Sequence, residues 1–324
     1  MDDLNISIGN LGNYGPLERC LRSIYAEDEP GFRCTVTIVY NAPAGVDDTY
    51  RLIERDFPQV KLIRRPGPLG YCATHNLVLN EGNSRYVLVL DDDTIVPKGT
   101  LPGIVAFMDR HPDVGMAGCK TLNADGSFQK TFGLVPTLRS ELVNAFRPDS
   151  FWPARLYEDL SSMRDVQWLN ASFMLVRREA LRVVGGFDEY YYTYVCESDW
   201  CFRMRKGGFR VVYLPDVEII HVGGEHSINN KMTVTNRLNL VRYHVNRFYF
   251  FRKHYGAVHT VLLRPIILAG SVARAVLYAG LYVLKPELRD VARTKLMVYG
   301  DVVRLCLSPR PHVLPARLQK PTAA

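Results

Sequence analysis

Three carboxylates in succession, Asp91, Asp92 and Asp93, followed by Thr94, come directly after the apolar run Tyr86-Val87-Leu88-Val89-Leu90. Adjacent acids repel one another unless solvent or a cation relieves them. Hard oxygen ligands of this kind suit Mg2+ or Mn2+ shared with substrate phosphates. A second acidic group lies in Cys196-Glu197-Ser198-Asp199-Trp200-Cys201, after Gly185-Gly186-Phe187-Asp188-Glu189 and the aromatic run Tyr190 to Tyr194. Two acids there favour a helix N-terminus, and either could also lie in the same cleft as a metal. His221 ends the apolar stretch Val217-Glu218-Ile219-Ile220 and precedes Val222-Gly223-Gly224, so its imidazole could join a metal set, with His226 the weaker alternative. Each feature also has a plain structural reading: a solvated turn, a favourable helix start, a strand-end histidine.

The elements that must position these groups alternate. Asn5–Ile8, Thr35–Tyr40, Val60–Ile63 and Tyr86–Leu90 read as strands; Leu17–Tyr25, Thr49–Phe57, Ala73–Leu79 and Leu101–Met108 read as helices. Such alternation predicts an α/β fold with a mostly parallel central sheet flanked by helices, and places Asp91 to Asp93 at the carboxyl edge where ligands bind. Beyond Met116–Leu122, a turn at Asn123-Ala124-Asp125-Gly126 leads into an aromatic, Pro-containing stretch, Phe132 to Trp152, expected as loops and short helices over the site. Regular structure is expected to return at Val166–Val176, with helices at Arg178–Val184 and from about Asp199 to Lys206 and strands at Phe209–Tyr213 and Val217–His221. From about Lys231 the character changes to a basic, aromatic helix, Asn236–Tyr255, and the apolar segment Val261–Leu284. That segment contains Arg264, Pro265 and Arg274, so its uncharged runs fall short of the ~20 residues of a spanning helix. An interfacial helix held at anionic headgroups by the flanking Arg and Lys side chains is expected, or else a helical hairpin packed on the main domain or on a second copy. The expected domains are therefore 1–230 and a C-terminal helical extension, 231–324.

With 324 residues and 47% apolar content, the chain can bury a full core, which excludes a disordered chain. The formal charge of +7 suits phosphorylated ligands, anionic lipid or nucleic acid without choosing among them. Seven scattered cysteines without a CxxC pair suggest reduced thiols in a cytoplasmic compartment. The acidic start Met1-Asp2-Asp3 lacks the basic and apolar regions of a signal peptide.

Taken in order, Leu69-Gly70-Tyr71 with Asn76, Asp91 to Asp93 with Thr94, Ala171 to Arg178, Gly185-Gly186-Phe187-Asp188-Glu189, the acidic helix start with Cys201 and Arg203, and His221 before Gly223-Gly224 resemble the family 2 glycosyltransferases of the GT-A fold. The similarity spans Asn5 to Gly224 and is strongest to the rhamnosyl- and galactofuranosyltransferase-like members that elongate bacterial surface polysaccharides. It implies a nucleotide-sugar donor contacted by Asn10, Leu11, Asn41, Gly70, Asn76, Asp91, Asp92 and Asp93, and a metal held by Asp91, Asp93 and His221. The relatives' acidic helix start reads Glu-Asp-x-Asp, with its first Asp the base; here Cys196-Glu197 stands at that pair, so Glu197 or Asp199 is implied as catalytic. Relatives commonly read the donor base with an Asp after the second strand, where this chain has Tyr40-Asn41. Trp168 and Asn170 are the acceptor candidates, because sugars pack on aromatic faces; a core role for Trp168 is the competing reading.

The implied reaction is inverting, with the metal as Lewis acid for the leaving diphosphate and a carboxylate taking the acceptor proton. The implied acceptor is a saccharide, polyprenyl-linked, at the cytoplasmic face of the cell membrane; a homo-oligomer is admitted, and nucleic acid is not an expected partner. Two other classes compete. A nucleotidyltransferase would need a basic Gly-rich loop after the first strand, and Gly9-Asn10-Leu11-Gly12-Asn13 has no Lys or Arg. A non-catalytic saccharide-binding homologue would have no need of acids at both positions. The acidic turn also resembles the DxDxT motif of haloacid-dehalogenase-type phosphatases, but Ile95 fits its last position poorly.

Overall fold

The computed structural model describes residues 3–27, 31–42, 48–67, 69–146, 160–223 and 234–313. Cα packing divides the chain into two compact units, Met1–Val135 with Asp159–Tyr192 and Cys196–Asn229, and Pro136–Glu158 with Thr193–Val195 and Asn230–Ala324.

In chain order the elements are β1 (Leu4–Asn10), α1 (Tyr14–Tyr25), β2 (Cys34–Tyr40), α2 (Asp48–Asp56), β3 (Lys61–Arg64), α3 (Tyr71–Leu79), β4 (Tyr86–Leu90), β5 (Thr94–Ile95), α4 (Thr100–Arg110), β6 (Val114–Leu122), β7 (Phe128–Gln129), β8 (Phe132–Gly133), α5 (Leu138–Ala145), β9 (Arg164–Asp165), β10 (Trp168–Leu169), β11 (Phe173–Arg177), α6 (Arg178–Val184), α7 (Cys196–Lys206), β12 (Arg210–His221), α8 (Val234–His254), α9 (Gly256–Leu284) and α10 (Arg289–Leu307). In the first unit, β3, β2, β1 and β4 run parallel, β11 is antiparallel to both β4 and β6, and β12 lies parallel to β6. This is the expected α/β sandwich with a mostly parallel sheet. The alternate residues Leu4, Ile6, Ile8, Leu88 and Leu90 are buried against Leu17, Leu21 and Ile24 of α1 and Ile104 and Met108 of α4. Each such side chain contributes roughly 1.5–3 kcal/mol on burial. Buried Arg178 donates to the Leu79 and Glu81 carbonyls beyond the end of α3, and Arg177 to those of Met108 and His111 at the end of α4. Both guanidinium groups thereby satisfy helix-end acceptors that have no partner within the helix.

Three boundaries differ from expectation. The Val166–Val176 stretch is broken into β10 and β11, because Trp168 and Leu169 pair with β8 instead of the main sheet. The two expected strands after Phe209 are one strand, β12, with a register shift between Leu214 and Glu218 that spans Pro215. Helix α7 begins at Cys196, earlier than the expected Asp199, so Glu197 lies in its first turn.

The second unit is helical. Helix α5 packs on α9, where Gly270 approaches Ala145 so closely that a Cβ would lie 2.6 Å from its carbonyl oxygen. Arg274 caps α5 by donating to the Ala145 and Asn144 carbonyls, and Arg247 forms a buried ion pair with Glu141. Gly256, at φ +86°, separates α8 from α9. Helix α9 is unbroken over 29 residues with Pro265 inside it, and by length and composition it could cross a membrane, contrary to the count of its uncharged runs. Arg264 and Arg274, which interrupt those runs, are held by carbonyls of Pro309 and of α5. Helix α10 has no counterpart in the sequence expectations. Trp152, at the end of the aromatic stretch, and Gly224 and His226 lie outside the described residues.

Candidate active site

Strand β4 is buried on both faces and ends at the acidic turn. The turn is closed from several sides: the Asp91 N–H donates to the Ser172 carbonyl (3.2 Å), Thr94 Oγ1 to the Asp91 carbonyl (2.8 Å), and the Val222 N–H to the Asp93 carbonyl (3.0 Å). Pairing of β12 with β5 sets His221 opposite Thr94. This brings His221 Nε2 to 3.1 Å from Asp93 Oδ1 and 3.8 Å from Asp91 Oδ2. One atom each of Asp91, Asp93 and His221 lies within 4.8 Å of the others. Two hard oxygens and an imidazole nitrogen converging this way fit a divalent cation. Gly223 permits the convergence, since a Cβ there would lie 1.7 Å from Asp93 Oδ2. His221 Nδ1 lies 2.8 Å from Gln129 Oε1 on β7. That partner directs the ring N–H outward and leaves Nε2 toward the carboxylates. Gln129 carried no sequence signal.

The electrostatics are those of crowded acids. Burial, with the charge of Asp93, pushes the Asp91 carboxyl up to about 6 against the opposing pull of His221. Asp92 rises to about 7, again chiefly through burial, although Asn10 Nδ2 donates to its Oδ2 at 2.7 Å. Burial works to lower His221, but its hydrogen bond to Asp93 and the charges of Asp91, Asp93 and Asp92 outweigh that and raise it.

The donor-side residues separate into two groups. Leu11 is 59% exposed, and Asn10 ties the end of β1 to Asp92. Asn41 and Asn76, by contrast, are closed in. With the Asn41 amide nitrogen toward the Asn10 carbonyl (2.9 Å), its oxygen accepts from the Leu69 N–H (3.2 Å) and the Thr74 hydroxyl (2.8 Å), and the residue is 1% exposed. Asn76 donates to the Phe187 carbonyl and Glu189 Oε1 and accepts from the Phe187 N–H, each at 2.9 Å. These two amides brace the fold, each with three of its four hydrogen-bonding positions taken by the chain itself. Gly70 is required by close approach, because a Cβ would meet the backbone oxygen of Tyr192 at 2.9 Å. Tyr71, which follows it, was matched only as a motif residue; its hydroxyl donates to the Ala171 carbonyl at 2.9 Å and faces the Asp91 carboxylate.

On the acceptor side, Glu197 is half-buried, receives the Cys196 thiol at 3.4 Å, and is held above the usual carboxylate range by burial. Its charge acts on Asp91. Asp199 is fully buried, with Arg203 Nε at 2.8 Å and the Tyr191 hydroxyl at 3.4 Å. Its carboxylate is enclosed by these two partners. Asn170 Oδ1 accepts from the Ser172 N–H (3.1 Å) in the turn that leads to Asp91's backbone partner. Trp168 is partly exposed, with the Lys130 ammonium 5.5 Å from its ring centre.

Comparison with known proteins defines the class. The model of the family "Glycosyltransferase like family 2" matches residues 8–240, and the chain belongs to that family and is a glycosyltransferase. It is 28% identical over 226 residues, 64% of this chain and 72% of the relative, to the N-acetylglucosaminyl-diphospho-decaprenol L-rhamnosyltransferase of Mycobacterium tuberculosis. It is 31% identical over 115 residues, 35% of this chain and 36% of the relative, to rhamnosyltransferase WbbL of Escherichia coli K12. The fold is that of a Pyrobaculum calidifontis mannosyltransferase solved with GDP-Man and Mn2+ (TM-score 0.55, 16% identity, 94% of this chain and 87% of that one). It is also that of GalNAc-T7 solved with UDP, GalNAc and Mn2+ (TM-score 0.54, 11% identity, 79% and 51%). The GT-A architecture implied by the sequence is thereby borne out.

Proposed function

We propose that this chain moves a sugar from a nucleotide-sugar donor onto a saccharide acceptor, with inversion at the anomeric carbon, and that the acceptor is carried on a polyprenyl diphosphate. The observation that carries this reading is the convergence of Asp91, Asp93 and His221 at the sheet edge, with Glu197 near enough for its charge to act on Asp91. Asp91, Asp93 and His221 would hold Mg2+ or Mn2+, whose charge would stabilise the departing nucleoside diphosphate. The Mn2+ in the two solved relatives supports this choice. Asn10 fixes Asp92 toward the donor side, and Leu11 forms the rim. Glu197 accepts the proton of the incoming hydroxyl at its carboxylate; the raised affinity of that carboxylate for protons brings it nearer neutrality, where a base works best. Asp199 holds Arg203, whose guanidinium also donates to the Val184 and Gly186 carbonyls, so α7 is fixed to the Gly-Gly turn. Trp168 and Asn170 line the acceptor side.

The lipid-linked acceptor rests on the named substrate of the mycobacterial relative and on the second unit. Val258, Val261, Leu262, Val272, Val276 and Val283 are exposed along α9, at the spacing of one helix face. Leu263, Ile267 and Gly270 are buried. A helix packed on one side and apolar on the other suits a position flat on a membrane, with 231–324 as the attachment region and the cytoplasmic face as its site.

The test is nucleoside diphosphate release by the full chain with Mn2+, across a panel of nucleotide sugars, with and without polyprenyl-diphosphate-linked saccharides. Acceptor-dependent release from at least one donor is expected. Donor binding with no acceptor-dependent release would leave only the saccharide-binding alternative, and pyrophosphate exchange with a sugar phosphate would replace the reading with the nucleotidyltransferase.

A further inference from the structure

Within the second unit, α8, α9 and α10 border an open groove of about 400 Å³. Its walls combine Arg237, Arg293 and Arg304 with Tyr282, Leu296 and Met297. Asp301, 1% exposed, takes two hydrogen bonds from Arg237 (2.9 and 2.6 Å) on one oxygen, and Arg304 Nη1 stands 3.7 Å from the other. The buried carboxylate thus holds Arg237, with exposed Arg304 in looser reach, and three guanidinium groups against one acid leave the groove with an excess of two positive charges. Guanidinium groups fixed in this way match the paired oxygens of a phosphate. The volume is that of a small-ligand site.

The surroundings specify what carries the phosphate. Tyr282, Leu296 and Met297 add apolar surface between the arginines, and Val283 and Leu284, next to Tyr282 at the end of α9, are strongly exposed. A free inorganic anion has no use for that apolar border, whereas a phosphate at the end of a long hydrocarbon uses both parts. Two excess charges also complement a dianionic head better than a single phosphodiester. We propose that this groove seats the terminal phosphate or diphosphate of a membrane lipid. The inference deepens the functional reading above and rests on its lipid-borne acceptor.

Gly300 allows a test that leaves charge untouched. It borders the groove on α10, and a Cβ added there meets nothing within 4 Å. Gly300→Leu therefore fills the groove while improving local helix propensity. The full-length protein is floated with phosphatidylcholine vesicles carrying undecaprenyl diphosphate, and with phosphatidylglycerol vesicles matched in total charge. Soluble pyrophosphate is titrated separately. Stronger binding to the undecaprenyl diphosphate vesicles is expected, falling about tenfold or more in Arg293→Glu/Arg304→Glu and also in Gly300→Leu. Arg110→Glu/Arg182→Glu makes the same change of net charge at exposed positions of the first unit and should bind as the parent does. The proposal is overturned by equal losses in both charge-reversal pairs, by full binding of Gly300→Leu, by equal binding to the two vesicle types, or by pyrophosphate binding as tight as that to the lipid. Release of nucleoside diphosphate with a water-soluble acceptor, unchanged in the groove variants, keeps the transferase reading separate: its absence from the parent protein would count against that reading and not against the groove.

Discussion

Two acidic clusters in the first unit share a residue type and differ in everything that surrounds it. At the end of β4, Asp91 and Asp93 face one histidine and each other, and burial without a full counter-charge lifts Asp91 to about 6. At the start of α7, Asp199 lies deeper still but meets Arg203 at 2.8 Å. A buried carboxylate with its own guanidinium is committed to the fold. A cluster of carboxylates left short of positive charge is poised for a cation from outside. Glu197, two residues from Asp199, is closer to the first kind: it has a thiol for a partner, is raised by burial, and its charge acts on Asp91.

The largest effects should come from Asp91→Asn and Asp93→Asn. Each removes a charged ligand while keeping the shape, and turnover should fall about 1,000-fold or more, with loss of tight Mn2+ binding by calorimetry. Wild-type Mn2+ affinity in either variant would dissolve the contrast between the clusters. Next come the two acids of α7, which should fail in different ways. Glu197→Gln should lower kcat by about 100- to 10,000-fold with donor affinity and thermal midpoint unchanged. Asp199→Asn should instead destabilise by about 3 kcal/mol in denaturant unfolding, because it strips Arg203 of its counter-charge in a fully buried pairing position. A stable, inactive Asp199→Asn beside an active Glu197→Gln would exchange the two roles.

That distinction between Glu197 and Asp199 shows where sequence reading stops. The alternation of strands and helices is legible because its periodicity is local, and Asp91, Asp93 and His221 are legible because strand ends on one sheet edge must converge. What a polar side chain does depends on partners far along the chain. Asn41 and Asn76 have the residue type of a ligand contact, yet Asn76 is consumed by Phe187 and Glu189, more than a hundred positions away. Asp199 is consumed by an arginine one helical turn on, a pairing compatible with either surface or core until packing around Trp200 is known. Gln129 and Tyr71 are the converse: neither belongs to an acidic or histidine motif, and both reach the cluster through tertiary contacts.

Gln129 offers a finer probe, because it touches the metal cluster only through His221. Gln129→Ala should weaken Mn2+ binding about 10- to 100-fold, as expected when the partner that orients a ligating imidazole is lost. Gln129→Glu keeps an acceptor at Nδ1 and should restore most of the affinity. No change in Gln129→Ala would mean that His221 is held by β12 and β5 pairing alone.

The smallest effect follows from proton competition. A cation and a proton cannot share Asp91 or His221 Nε2, and both groups hold protons more tightly than usual, Asp91 to about 6 and His221 above its ordinary 6.5. Mn2+ affinity should therefore rise with pH and level off once both are deprotonated. Between pH 7.5 and 6 the expected loss is about two- to tenfold, with proton release on binding measured by calorimetry in buffers of different ionisation enthalpy. The Asp199–Arg203 pair should contribute nothing to this profile, since it binds no cation. In Asp199→Asn, assayed where it remains folded, the same slope should survive; a flattened slope would place Asp199 within the proton-linked cluster and remove the difference between the two sets of acids.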